Sequence, residues 1–162
     1  MKSRCFIFLG FHPLIVFGQS KYDSHWTIGY DTSLLDPGGD VILMNFNLNP
    51  VNVKTVKTVH RFFSFASVST MSDAEGNLIF YTSGCYVVNA AHKIMENGDT
   101  INPGHIQQYV CPFGSSNNVG GAISIPWPDS PSLYLLFVND YEQTLSLVSH
   151  FRKVVRVTYI IM

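Results

Sequence analysis

The chain reads as an all-β protein, and three observations lead there. Apolar residues fill 46% of its 162 positions and charged residues 13%, against a usual charged share of roughly 25%. Short alternating or β-branched runs recur along it, each closed by Gly, Pro, Asn or Asp. Beyond Gly18 no stretch carries the periodicity of an amphipathic helix. Composition excludes intrinsic disorder and coiled coil, and a net charge of −1 leaves no basic footprint for nucleic acid.

Residues 1–18, MKSRCFIFLGFHPLIVFG, predict a secretory signal. Lys2 and Arg4 precede a mainly apolar run from Cys5 to Phe17, too short for the roughly 20 positions that cross a bilayer. Val16 and Gly18 suit the two small positions before a cleavage at Gln19. The mature chain then carries 8 basic and 11 acidic residues and no expected transmembrane segment. It keeps Cys85 and Cys111. In an oxidising compartment the pair either closes a disulfide, worth about 3 kcal/mol in the chain-entropy model, or stays as two buried thiols. Neither cysteine has a second ligand at zinc spacing.

From there the strands follow in order. Asp36 to Gly39 is a turn before the run Val41 to Phe46, and Asn47 to Asn52 is a loop. Val51 to Val59 alternates, but Val51, Val53, Val56 and Val59 share a face only with a bulge near Thr55. Ser64 to Thr70 is a further strand, joined through the Asp73 to Asn77 hairpin loop to Leu78-Ile79-Phe80-Tyr81-Thr82. The last run is apolar on both faces, as a strand inside a layered structure must be. Cys85 to Asn89 with His92 to Met95 forms an outer strand closed at Asn97-Gly98. Thr100 to Asn118, rich in Gly, Pro, Ser and Asn, is a long loop. Gly121 to Ile125 and Leu133 to Asn139 make another hairpin around Pro128-Asp129-Ser130-Pro131.

Two of these hairpins resemble each other in an alignment that takes Asp73 to Asp129, Phe80 to Leu136 and Tyr81 to Phe137. A period of roughly 50 with several strands per unit suggests propeller blades, here units of about 64–99 and 120–150. The alternative is a small β-sandwich containing two unrelated hairpins.

The same residues resemble a family of secreted Bacteroidota proteins with an N-terminal propeller-like region, of the type associated with type IX secretion and gliding motility. The resemblance is carried by Ser72-Asp73, Gly76-Asn77-Leu78, Phe80-Tyr81-Thr82 and Gly84, then by Asn89, His92, Met95 and Asn97-Gly98. It continues through Pro126, Pro128, Tyr134, Phe137 and Asp140, with Trp26 and Gly29 fitting the opening. It covers roughly 26–140, and it departs at Ser83, Val88 and Gly120-Gly121, where the family carries Asp, Trp and Gln-Ser. The resemblance implies two to three propeller-like blades over 19–140, an incomplete ring. Residues 141–162 then form a divergent tail and a point of truncation, since four or more blades normally close such a ring.

Little reads as catalysis. No G-x-S-x-G elbow is present, and the carboxylates Asp73, Glu75, Asp99, Asp129 and Asp140 all fall in turns, where they cap backbone groups. Asp73, Glu75 and Asn77 alternate around Gly76 like part of a calcium loop, but the hairpin accounts for them and no cofactor is expected. The candidate ligand contacts are Trp127, set between two prolines, and His92 with Asn89 on the outer strand. Trp26, Tyr86, Tyr109 and Tyr141 add aromatic faces suited to sugars or to packing. The expectation is a non-enzymatic binding or scaffold module, a fragment of a larger propeller protein. It would be secreted or at the cell surface, or periplasmic, with a protein or glycan partner. The rival is a small secreted carbohydrate-binding or carbohydrate-active β-sandwich.

Overall fold

The computed structural model describes residues 20–30, 39–58, 68–114, 121–144 and 150–161. The expected signal, the Asp36 to Gly38 part of the first turn, Val59 and the segment Ser64 to Ser67 lie outside them. Within them the protein is all-β: three antiparallel sheets of three strands each, every sheet built from strands consecutive in the chain.

The first sheet joins β1 (His25–Tyr30), β2 (Gly39–Asn45) and β3 (Asn52–Thr58). The second joins β4 (Ser69–Ser72), β5 (Leu78–Thr82) and β6 (Val87–Asn89). The third joins β7 (Ala122–Pro126), β8 (Leu133–Thr144) and β9 (His150–Ile161). Residues 150–161, expected as a divergent tail, thus pair along the whole of β8, from Leu133↔Ile161 to Thr144↔His150.

Alternation explains how the sheets stack. On β5, Phe80 joins Met71, Val87, Tyr134, Leu136 and Val138 in a core between the second and third sheets. Its neighbour Tyr81 points the other way and packs on Val41 and Val88 between the first and second. Both side chains are fully buried, so the run that is apolar on both faces is the inner layer of the molecule. Phe80 meets Tyr134 edge to face, with ring centroids 5.7 Å apart, the arrangement aromatic quadrupoles favour.

The sheets come closest along their first strands, β1 against β4 and β4 against β7. Strand directions follow from the contacts. His25 meets Ser72 and Thr27 meets Thr70, so β1 and β4 run antiparallel. Ser69 meets Ser124, and further along, the partners of Met71 and Pro126 (Phe80 and Tyr134) meet, so β4 and β7 run parallel.

Four expectations need correction. The alignment of Phe80 with Leu136 is out of step along the strongest strand. Phe80 and Leu136 share one core cluster and face each other, whereas equivalent residues of stacked units must face the same way. The alignment shifted by a single position takes Tyr81 to Leu136, each facing the preceding sheet. The bulge expected near Thr55 is not there: β3 pairs with β2 in unbroken register from Asn52 to Thr58, and Val51 and Val53 are exposed. This strand is an edge, and Lys54 and Lys57 lie along it, the charged residues with which edges are commonly guarded. The outer strand is short, Val87–Asn89 with an isolated bridge Val88↔Ile94.

Lastly, the expected loop of Thr100 to Asn118 contains α1 (His105–Tyr109) and a single 3₁₀ turn at Cys111–Phe113. No side chain caps either element, so tertiary contacts hold them. Ile106 packs on the Cys85–Cys111 disulfide, and buried Asn102 donates from Nδ2 to the Asn139 carbonyl of β8 at 3.0 Å.

Candidate binding site

The seam between the first strands is polar, because each contributes a hydroxyl-bearing face. Thr27 and Thr70 hydroxyls lie 2.7 Å apart across β1 and β4. The Ser69 hydroxyl donates to Ser124 Oγ at 2.8 Å and accepts from the Ser124 N–H at 2.9 Å, tying β4 to β7. Trp26, Thr27 and Ile28 of β1 line a cleft of about 330 Å³ with Val68, Ser69 and Thr70; Thr27 points across to Thr70, and Trp26 and Ile28 lie on the other side of the strand, at the cleft's exposed rim. Trp26 is 57% exposed and tilts against Phe46 with centroids 5.0 Å apart. The cleft therefore pairs an exposed aromatic surface with hydroxyls that can both donate and accept.

Beside it, His25 Nδ1 lies 3.1 Å from Ser72 Oγ. Burial lowers this imidazole's pKa and the charge of Lys54 lowers it further, against the opposing pull of Asp73. A serine beside a neutral histidine suggests a nucleophile and its base, but Ser72 is completely buried and no substrate carbonyl can reach it. The pair is a structural tie between β1 and β4.

The residues expected to touch a ligand are dispersed and mostly engaged. Asn89 ends β6, and its Oδ1 accepts from the N–H groups of Ala91 at 2.9 Å and Lys93 at 3.1 Å, an Asx turn. His92 sits in that same turn at φ 62°, and its Nδ1 lies 3.1 Å from the Tyr81 hydroxyl. Burial, with Lys54 second, lowers the pKa of His92, and burial pushes the Tyr81 phenol well up. Trp127 follows β7 directly, and its backbone N–H donates to the Leu133 carbonyl at 2.8 Å at the start of the β7–β8 turn. It is 39% exposed.

The calcium-like turn is likewise occupied by its own backbone. Asp73 accepts from the Asn77 N–H at 2.7 Å and from Asn77 Nδ2 at 2.8 Å. Burial pushes the Asp73 carboxyl up, but hydrogen bonds from Asn77, Gly76 and Glu75 outweigh it, leaving the pKa below the usual carboxylate range. Among the described residues no group of three or more His, Cys, Asp or Glu is placed to hold a metal ion.

Sequence reasoning singled out Trp26 as an aromatic face but missed Thr27, Phe46, Ser69 and Thr70. They come from separate sheets, and only packing brings them together. A signal existed in the alternating Ser and Thr of Ser69-Thr70-Met71-Ser72, a polar face beside an apolar one. No family model, curated protein or solved structure matches the chain.

Proposed function

We propose that this chain is an exported, non-enzymatic binding or scaffold module in which the second and third sheets, whose first strands run parallel, are blades of a propeller-like ring, while the first sheet, with β1 antiparallel to β4, packs on them as a differently oriented unit. The likeness of residues 26–140 to the propeller-like region of secreted Bacteroidota proteins implies that role and a place at the cell surface. The cleft between β1 and β4 carries the binding part of the reading, because propeller ligands commonly meet the strands nearest the axis and this is where the sheets converge.

A second reading, a carbohydrate-binding protein, is favoured by the Trp26–Phe46 pair beside the Thr27 and Thr70 hydroxyls. An aromatic face takes the apolar side of a sugar while hydroxyls take its edge. A glycan array run with the wild type, Trp26→Ala and Trp127→Ala tests it. A glycan retained by the wild type and lost in Trp26→Ala supports a sugar site in the cleft; loss only in Trp127→Ala moves the site to the third sheet. No retained glycan removes the carbohydrate reading and leaves a protein partner.

Export is tested by the intact mass of the native product in fractionated cells. A species lacking residues 1–18 outside the cytoplasm supports it. A full-length cytoplasmic species refutes it.

A further inference from the structure

The first strand of each sheet is also an edge, since β1, β4 and β7 have a sheet neighbour on one side only. Along such a strand the residues alternate: one turns its N–H and C=O to the neighbour, and the next turns them away. Bonds already made fix the phase on β4. Val87 and Asn89 bond outward to Gly98, Met95 and Lys93, so Val88 is the residue that pairs with Tyr81. Thr70, opposite Tyr81, therefore turns its backbone groups away from β5. The Ser72 N–H confirms the phase, because it leaves the sheet for the Tyr22 carbonyl at 2.9 Å. On β1, Ser24 accepts from the Phe46 N–H in line with the β2 ladder, so Thr27 likewise turns its backbone groups away from β2. The Ser124 N–H of β7 is met by Ser69 Oγ at 2.9 Å. Among the described residues nothing meets the backbone N–H and C=O of Thr70.

The chain itself shows what this edge accepts. The Lys21 N–H donates to the Ala74 carbonyl at 3.3 Å, and the Tyr22 carbonyl takes the Ser72 N–H. A piece of backbone thus lies along the edge in the antiparallel sense, its partners falling from Ala74 to Ser72 as the chain advances. It then leaves, because a turn closed by the Ser24 N–H and the Lys21 carbonyl carries it to β1. The next outward-turned residue on that edge is Thr70, where the cleft opens. No residue lining the cleft carries a charge. The Thr27 and Thr70 hydroxyls engage each other and the Ser69 hydroxyl engages Ser124, which favours a main-chain ligand over a sugar.

We propose that the Thr70 edge of β4 binds an uncharged, extended segment of a partner protein, which adds as a strand where Lys21 and Tyr22 leave off. The segment runs antiparallel to β4, with β1 as the other wall of the cleft. Main-chain bonds supply the affinity, and the uncharged lining selects against Asp, Glu, Lys and Arg in the segment. This rests on the reading of the cleft as the binding site and names the class of its ligand.

Peptides selected from a phage-displayed random library on the purified full chain, then synthesised and titrated by fluorescence anisotropy, test it. The expected peptides are uncharged at their centre. N-methylation there should weaken binding about tenfold at alternate residues and be tolerated at those between. Thr70→Pro removes the outward N–H without touching the β5 ladder and should also weaken binding about tenfold. Thr70→Val, which keeps that N–H, should stay within about threefold of the wild type. Circular dichroism checks the fold of each variant. Should Thr70→Pro fail to fold, Trp127→Phe leaves Trp26 as the one tryptophan, and its emission must shift to the blue as the peptide covers it. Absence of that shift, N-methyl effects without alternation, or a loss in Thr70→Val overturns strand addition. A glycan retained by the wild type and lost in Thr70→Val overturns it too, while keeping the cleft as a binding site. Retention of neither peptide nor glycan overturns both.

Discussion

At Gly76 the backbone and its surroundings both require glycine. Its φ is 94°, and an added Cβ would stand 2.6 Å from Asn47 Oδ1, where Asn47 Nδ2 donates to the Gly76 carbonyl at 2.7 Å. Gly76→Ala therefore combines left-handed strain with a clash and should cost about 2 kcal/mol or more in urea unfolding. A change below about 0.5 kcal/mol would show that the turn moves freely away from Asn47. Asn89 tests a different kind of local tie. Asn89→Ala removes an acceptor shared by two backbone N–H groups and should cost about 1–2 kcal/mol. If Asn89 served a ligand instead, the variant would lose binding and keep its unfolding midpoint.

Among the elements, β5 was the plainest in the sequence, because Leu78 to Thr82 has no exposed polar position and admits only a strand covered on both sides. Phe80→Ala leaves a cavity between the second and third sheets and should cost about 3–5 kcal/mol. A loss near about 1 kcal/mol would mean that the third sheet is loosely docked. The segment around α1 was the least legible. Its short helix lacks caps and a polar-apolar pattern, and it holds because Ile106 packs on Cys85 and Cys111. Replacing both cysteines by serine opens the link between them and should cost about 3 kcal/mol. Exchange of the α1 amides should rise more than that of the β5 amides; equal rises would show that the link supports the whole fold evenly.

For the molecule as a whole, burial disfavours the charged form of two histidines, His25, which ties β1 to Ser72 of β4, and His92, which meets the Tyr81 hydroxyl of its own sheet, and each lies within the field of Lys54 on β3. Both titrate below the ordinary imidazole value of about 6.5, so the unfolded chain takes up protons first as the pH falls. Stability is therefore complete above that value and declines as the pH drops through the folded-state pKa values. Urea midpoints should be lower at about pH 5 than at about pH 7.5, and His92→Asn, which tolerates the positive φ, should shrink the difference. Equal midpoints for the wild type would show that neither imidazole is held neutral. The hairpins were readable as units, but their mutual facing was not. Two alignments a single position apart look alike in a sequence, yet they put Phe80 and its counterpart on opposite sides of a sheet.

What the chain determined by itself is local: the all-β class, the turn at Asp73 to Asn77, the doubly apolar β5, and a pair of cysteines free to meet. These follow from residue chemistry and a two-residue period, which act between near neighbours. Tertiary structure alone decided the register between sheets, the Ser and Thr seam, the engagement of Asn89 and His92 in a turn, and the exposed apolar positions Trp26, Ile28, Ile123 and Ile125 on the first and third sheets. Each of those depends on which surfaces meet across long stretches of chain, and apolar burial selects that pairing by shape and area rather than by any single residue.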